Sequence, residues 1–311
     1  MNTLEHIYEY LAVQELSSGD KRFLRYSTNG SYPIEFREYG VSIPASYHTN
    51  TLVHVSDKDY IHGVSFVPRG NHSHSAIYAD RSRSGDVDST IIHTRTLTDG
   101  HVGWSMLPTD IVSQYQKGAD NDAKIASGLF GLARVLDIPE SEAFLCVLIE
   151  RYDTTIAIVS GDHVSHHRVV PVGTSSLVQR LTHLIGCDEV FARGVLEKHG
   201  LLYTHYDESI RNALLECLTP IIDAIQNVMT YRTNAPYRTE SERIPVGKWV
   251  CGGIGAVSVP GISAYLTLFI DVPLYTGIHE HYQKLIQSSS IPITRQTLPK
   301  YYVLLGLTSL S

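Results

Sequence analysis

The chain has 311 residues, of which 43% are apolar and 18% are charged. This length and composition predict a globular protein of about two domains, and they argue against a disordered, collagen-like or low-complexity chain. The 25 basic and 32 acidic residues give a net charge of −7 without a basic stripe, so nucleic acid is not expected as a partner.

The cysteines and apolar runs point to a cytoplasmic protein. Neither a disulfide framework nor a thiolate zinc site is expected, because no C-x-x-C motif joins the four widely spaced cysteines, Cys146, Cys187, Cys217 and Cys251. The longest apolar runs, 144–149 and 301–307, are far shorter than the roughly 20 residues that cross a bilayer. No basic segment precedes an apolar one at the N-terminus, so a secretory signal is not expected.

The first part of the chain predicts mainly short strands. Residues 10–14 and 22–26 form a predicted β-hairpin around the polar turn 17–20. Residues 41–107 predict a small α+β insertion with strands at 63–67, 90–94 and 102–106. Two helices should follow, one from Thr109 to Gln116 and one from Asn121 or Asp122 to Leu136, where Pro139 ends the helical pattern.

The second part predicts a sheet followed by several helices. Strands are expected at 144–149, 155–159 and 164–172, the first two as a hairpin. Helical spacing of apolar residues continues through the predicted helices 177–184, 188–199 and 207–230, the last kinked at Pro220. A strand at 248–251 and helices at 261–270 and 301–307 complete the predicted elements.

A glycine-rich turn between the strand at 248–251 and the next helix is the main candidate for ligand binding. Gly252, Gly253 and Gly255 lie where backbone can approach a phosphate or an adenosine closely. The chain has no Walker A motif, and the third glycine of a dinucleotide fingerprint is absent. Tight packing of the strand on the helix is the more common reason for such glycines.

Neither a metal site nor a catalytic residue is predicted from the motifs. The closest pairs among the 16 histidines, at 72 and 74, 166 and 167, and 279 and 281, lack the H-E-x-x-H spacing of a zinc site. The chain has no G-x-S-x-G elbow and no recognisable cysteine nucleophile. Paired carboxylates occur where helices are expected to begin, and there they complement the helix dipole.

The order of motifs resembles the PilM family of type IV pilus assembly proteins and, more distantly, the division protein FtsA. The resemblance covers 102–311 and rests on V-P-V-G at 170–173, E-V-F-A-R-G-V-L-E-K-H-G-L at 189–201, V-C-G-G-I-G-A at 250–256 and the closing segment 298–307. It implies an α/β fold with α+β subdomains, namely an actin-like, ribonuclease H-like two-lobe fold with an inserted small subdomain.

The family divides the chain into four subdomains. The resemblance implies a first-lobe core of 1–40 and 108–143, an inserted subdomain of 41–107, a second-lobe core of 144–175 and 246–311, and a helical subdomain of 176–245.

The family's nucleotide motifs are degenerate in this chain. Gln14 lies nearest the expected aspartate of the first hairpin, Glu150, Arg151 and Tyr152 replace a D-x-G turn, and Arg193 and Leu196 replace a glutamate and a lysine. Thr174 replaces the second glycine after Gly173. Mg²⁺ needs oxygen ligands, so neither ATP with Mg²⁺ nor hydrolysis is expected, and Gly173, Gly252, Gly253 and Gly255 mark a vestigial nucleotide site.

The resemblance therefore implies a non-enzymatic scaffold at the cytoplasmic face of the inner membrane. Its expected partner is the cytosolic tail of a bitopic protein similar to PilN, held in a groove between the first-lobe core and the insertion. Self-association is left open by the sequence.

Two alternatives accompany the scaffold. The first is an active ATPase or sugar-kinase-like enzyme in which Glu150 or Asp153 supplies the metal carboxylate. A scaffold predicts a cleft blocked by Arg151, Tyr152 and Leu196, whereas an enzyme needs an open cleft with converging carboxylates. The second is a polymerising membrane tether like FtsA, which ranks last because Ser309–Ser311 ends without a basic amphipathic helix.

Overall fold

The structure is a computed structural model. It describes residues 8–18, 20–28, 33–40, 51–55, 58, 60–66, 88–96, 101–116, 124–139, 141–161, 163–201, 206–234, 243–289, 291 and 293–310. The histidines at 72 and 74 and the predicted helix start at 121–122 lie outside these ranges.

The first lobe is built on a five-stranded mixed sheet. Its spatial order is β3-β2-β1-β4-β8, formed by β1 (Tyr8–Glu15), β2 (Lys21–Thr28), β3 (Pro33–Gly40), β4 (Thr51–His54) and β8 (Lys124–Ile125). Strands β1 to β3 are antiparallel, and the pairing of Gln14 with Arg22 at the end of the first hairpin confirms the predicted strand pair. Strands β4 and β8 run parallel to β1.

A separate three-stranded antiparallel sheet belongs to the insertion. Its order is β5-β7-β6, formed by β5 (Ile61–Phe66), β6 (Ser89–Thr96) and β7 (His101–Pro108), and α1 (Thr109–Gln116) follows β7 directly. The predicted start of the insertion at residue 41 is too early, because β4 lies within 41–107 and yet pairs with β1 in the first sheet.

The second lobe is built on a four-stranded sheet. Its order is β11-β10-β9-β12, formed by β9 (Ala143–Ile149), β10 (Thr154–Ser160), β11 (His163–Val170) and β12 (Val246–Gly252). Every residue of β9 and β10 is buried, which explains their nearly continuous apolar sequences. The predicted strands are confirmed, although β11 ends at Val170 rather than Val172.

Helices cover the second sheet. They are α3 (Thr174–Ile185), α4 (Glu189–His199), α5 (Glu208–Glu216), α6 (Thr219–Asn234), α7 (Gly253–Ser258) and α8 (Ile262–Thr267). The single kinked helix predicted over 207–230 is wrong, since the chain breaks at Cys217 and Leu218 into α5 and α6. Pro220 is the second residue of α6, where its missing N–H removes no intrahelical bond.

Two further helix predictions need correction. The predicted helix to Leu136 begins only at Gly128 and forms α2 (Gly128–Leu136), because Lys124 and Ile125 pair with β4 as strand β8. Helix α9 (Glu280–Ser288) was not predicted, although His279 caps it and Glu280 pairs with Lys284 one turn later. The closing helix α10 (Tyr302–Thr308) is confirmed and follows a 3-10 turn at Leu298–Tyr301.

Helices α2 and α10 cross between the two sheets and join the lobes at what we call the base. A Cβ added to Gly131 would overlap the carbonyl oxygen of Gly306, and one added to Gly128 would overlap the Val303 carbonyl, so the two backbones are in direct contact. The buried core around them includes Leu24 from the first sheet and Cys146 from the second. The predicted assignment of 246–311 to the second lobe therefore fails for α10, which packs against α2 and the first sheet.

No helix among the described ranges is long and apolar enough to span a bilayer. The four cysteines are free thiols, and burial raises the pKa of the Cys146 thiol to about 12.

Candidate functional site

A cavity of about 440 Å³ lies between the lobes, and we call it the cleft. It is formed by the turn of the first hairpin, the end of β9, the first residues of α3 and α7, the middle of α4, and the 3-10 turn before α10. Its size is within the range of small-molecule pockets. The cleft is therefore open enough to hold a ligand, and the predicted blocked cleft is not what the structure contains.

Arg22 and Glu150 form a buried ion pair inside the cleft. Arg22 Nη1 donates to Glu150 Oε1 at 3.2 Å, and Nη2 donates to Oε2 at 3.0 Å. Arg22 is 3% exposed and Glu150 is 8% exposed. Arg22 Nη1 also donates to the backbone carbonyl of Lys300 at 3.0 Å. Both carboxylate oxygens of Glu150 are therefore engaged by one guanidinium in a bidentate geometry.

The turn after β9 packs against the start of α3. The amide of Thr174 donates to the Glu150 carbonyl at 3.0 Å, and the amide of Ser175 donates to the Arg151 carbonyl at 2.8 Å. A Cβ on Gly173 would lie 2.5 Å from the Glu150 carbonyl oxygen, which is closer than real contacts allow. Two first-turn amides of α3 that could have bound a phosphate are thus bonded to the protein itself.

The glycine-rich turn at 252–255 is packed against the second sheet. Gly253 has φ +78°, and a Cβ there would overlap the Ile149 carbonyl. A Cβ on Gly252 would lie 2.6 Å from Leu148, and one on Gly255 would lie 2.6 Å from Ile149. Contacts within the protein are therefore enough to require all three glycines, with Ile254 as the residue of this turn that lines the cleft.

The other predicted site residues are only partly brought together. Arg151, Arg193 and Leu196 line the cleft, and Leu196 is also part of the buried core of the second lobe. Tyr152 does not line the cavity and is 44% exposed, so its predicted role in blocking the cleft is wrong. Gln14 is buried beside Arg22 in the strand pairing, and its Oε1 has no hydrogen-bond partner among the described residues.

The cleft carries more positive than negative side chains. Arg22 is paired with Glu150, and Lys21 is paired with Glu15. Arg151, Arg193 and Lys300 also line the cavity, and none of these three makes an ion pair among the described residues. Asp20 and Glu197 are the remaining acidic residues of the lining. This balance favours anions over cations in the cleft.

The residues of the cleft do not fit a bound Mg²⁺ ion. Mg²⁺ is held by carboxylates in near-octahedral oxygen geometry. Glu150 is neutralised by Arg22, and Asp153 does not line the cavity. Within the described ranges, no group of three or more His, Cys, Asp or Glu side chains could hold a metal ion. The arrangement favours an anion, and the remaining acidic residues of the lining, Asp20 and Glu197, do not form a group that could hold a metal around a triphosphate.

Sequence reasoning missed the two residues that bridge the cleft with Glu150. Arg22 was predicted only as part of a strand, and Lys300 contributes through its backbone carbonyl. A charged residue within a strand that is otherwise buried was the available signal for Arg22, since such residues are rarely buried unless paired.

The predicted peptide groove in the first lobe is described only in part. Strands β1 and β4 share a small buried core with the end of β7 and α1, through residues that include Val13, Val53, Leu107 and Val112. Residues 41–50, 67–87, 97–100 and 117–123, which the predicted groove would include, lie outside the described ranges.

Comparisons with solved structures show the fold. The structure is similar to the PilM–PilN type IV pilus biogenesis complex, with a TM-score of 0.68, 14% identity, and coverage of 97% of this chain and 98% of the other. It is also similar to MreB5 of Spiroplasma citri bound to AMPPNP, with a TM-score of 0.50, 12% identity, and coverage of 96% and 94%. No protein-family model and no curated protein matches the sequence. The chain thus has an actin-like fold, as predicted.

Proposed function

We propose that this protein is an actin-like scaffold of type IV pilus assembly that binds the cytosolic tail of an inner-membrane partner and does not hydrolyse ATP. Similarity over 97% of the chain to a structure of the PilM–PilN complex supports the scaffold role and suggests a PilN-like partner. The protein would then lie at the cytoplasmic face of the inner membrane through that partner.

The cleft supports the non-catalytic part of the proposal. Glu150, the carboxylate at the position of the family's phosphate hairpin, has both oxygens bonded to Arg22. The same pair weakens the alternative of an ATPase or sugar-kinase-like enzyme, since that enzyme needs Glu150 or Asp153 as a metal ligand. An extended tail, in contrast, can be bound by apolar pockets and sheet edges without any reacting group.

Peptide binding in the presence and absence of nucleotide tests this function. Fluorescein-labelled peptides would carry the cytosolic tails of the single-span pilus proteins of the same organism, and a scrambled version of each would serve as the control. We expect fluorescence anisotropy to show one tail binding with a Kd of about 1 μM to 100 μM, equally well with EDTA and with ATP and Mg²⁺. The proposal would be contradicted if none of the tails binds. It would also be contradicted if a tail binds only in the presence of ATP and Mg²⁺.

A further inference from the structure

The ion pair in the cleft connects parts of the chain that are distant in sequence. Arg22 is in β2 of the first sheet, and Glu150 directly follows β9 of the second sheet, 128 residues later. The Lys300 carbonyl, which accepts from the same guanidinium, is on the 3-10 turn before α10. The Arg22 side chain therefore connects the first sheet to Glu150 of the second lobe and to the 3-10 turn before α10.

The surroundings make this pair hard to separate. Both residues are more than nine-tenths buried, and the two N–H···O bonds are charge-assisted and parallel. Removing one member leaves an uncompensated charge away from water, which is strongly unfavourable. Opening the cleft would separate Arg22 from Glu150. Until water reached both groups, this separation would be unfavourable in free energy for the same reason.

The pair lies in the cleft, away from a second contact between the lobes in which β5 and β7 of the insertion pack against β11. The glycine contacts between α2 and α10 form the base, and α10 begins directly after the 3-10 turn that carries Lys300. Two-lobed proteins commonly open and close about such a joint, with a bound ligand holding the lobes together. Here an ion pair of the protein spans the gap where a ligand would lie.

We propose that Arg22, Glu150 and the Lys300 carbonyl form an intramolecular latch that fixes the separation of the lobes without any ligand. The latch goes beyond scaffold function, because it assigns to one ion pair the control of the angle between the lobes. The proposal does not depend on the identity of the partner tail.

Pulsed dipolar EPR between the lobes tests the latch. Spin labels would be placed at Lys124 in β8 and Val190 in α4, which are both exposed, with the half-buried Cys187 and Cys217 replaced by serine. Arg22→Met removes the latch, and Glu150→Gln is a milder variant that keeps a hydrogen-bond acceptor. Arg193→Met is the matched control, because Arg193 lines the same cleft without an ion pair among the described residues.

The latch predicts one narrow distance distribution for the parent protein and for Arg193→Met. It predicts a broader distribution, shifted to longer distances, for Arg22→Met and a smaller change in the same direction for Glu150→Gln. An unchanged distribution in a folded Arg22→Met protein would overturn the proposal. If Arg22→Met does not fold, an unchanged distribution in Glu150→Gln and in Arg22→Lys, which cannot make the bidentate contact, would overturn it instead.

Discussion

Two of the regions where the lobes meet, the base and the latch, are stabilised in different ways. At the base, α2 and α10 contact each other through glycines and share a buried apolar core with both sheets. At the latch, a single guanidinium bonds to one carboxylate and one carbonyl. A Cβ added at Gly131 would force α2 and α10 apart at the base. At the latch, removing the charge of Arg22 or Glu150 would break the contact. The comparison therefore contrasts an apolar contact between the lobes with an ionic one.

The strongest test of the base is Gly131→Val. Any Cβ at this position overlaps the Gly306 carbonyl, so the helices must move apart, and we expect a loss of about 3–5 kcal/mol or failure to fold. Gly194→Ala in α4 is the control, because a Cβ there has no atom within 4 Å, and alanine should stabilise the helix by up to about 1 kcal/mol. Urea denaturation measures the free energy of unfolding of both variants. If Gly131→Val is as stable as Gly194→Ala, the close contact between α2 and α10 is disproved.

A double-mutant cycle at the latch should give the next largest effect. Arg22→Met removes the guanidinium that bonds to both oxygens of the buried Glu150 carboxylate, which should cost about 3–5 kcal/mol. Adding Glu150→Gln removes that charge, so we expect the double variant to be more stable than Arg22→Met alone. The free energy of unfolding of all four proteins gives the coupling energy. Additive effects would mean that the two side chains do not interact in solution.

Gly253→Ala tests whether the glycine-rich turn is required by packing. The left-handed φ and the overlap with Ile149 predict a loss of about 2–3 kcal/mol without any ligand. Gly161→Ala shares a positive φ but has open space around the Cβ, so it should cost only about 1 kcal/mol. Thermal denaturation of the ligand-free proteins measures the difference. A fully stable Gly253→Ala protein would instead favour a ligand as the reason for the glycine.

The smallest effect concerns the reactivity of one thiol. Cys146 is buried in the core shared by the lobes, and burial raises its pKa to about 12, so it stays protonated and unreactive at pH 8. We expect it to remain unmodified by a thiol reagent in both the parent protein and Arg22→Met, since only the latch end opens. Peptide mapping after alkylation detects this. Rapid labelling of Cys146 in Arg22→Met would show that the base opens as well.

The sequence predicted elements better than it predicted contacts between them. The apolar runs of β9 and β10 are long enough to be recognised as buried strands. The observed bounds differ by one residue at the start of β9 and at both ends of β10. Strand β4 was missed because four residues carry too little periodicity, and β8 was hidden in an apparent helix. Pairing with β1 and β4, which no local pattern records, determines both strands.

In the cleft, too, the sequence did not predict which distant residues are in contact. Glu150 was recognised as a departure from a phosphate motif, but its partner Arg22 is 128 residues away and belongs to a different sheet. Gly252, Gly253 and Gly255 were visible as a motif, yet the sequence could not separate packing from ligand binding. Their distances to Leu148 and Ile149 supply the packing explanation.

The central claim is that the cleft is held by its own ion pair and does not bind ATP through Mg²⁺. Isothermal titration of the protein with ATP and Mg²⁺, with phosphate release followed in the same samples, tests it most directly. We predict no Mg²⁺-dependent binding tighter than about 1 mM and no phosphate release above the protein-free background. Micromolar binding that requires Mg²⁺, with phosphate release that is lost in Glu150→Gln, would contradict the account.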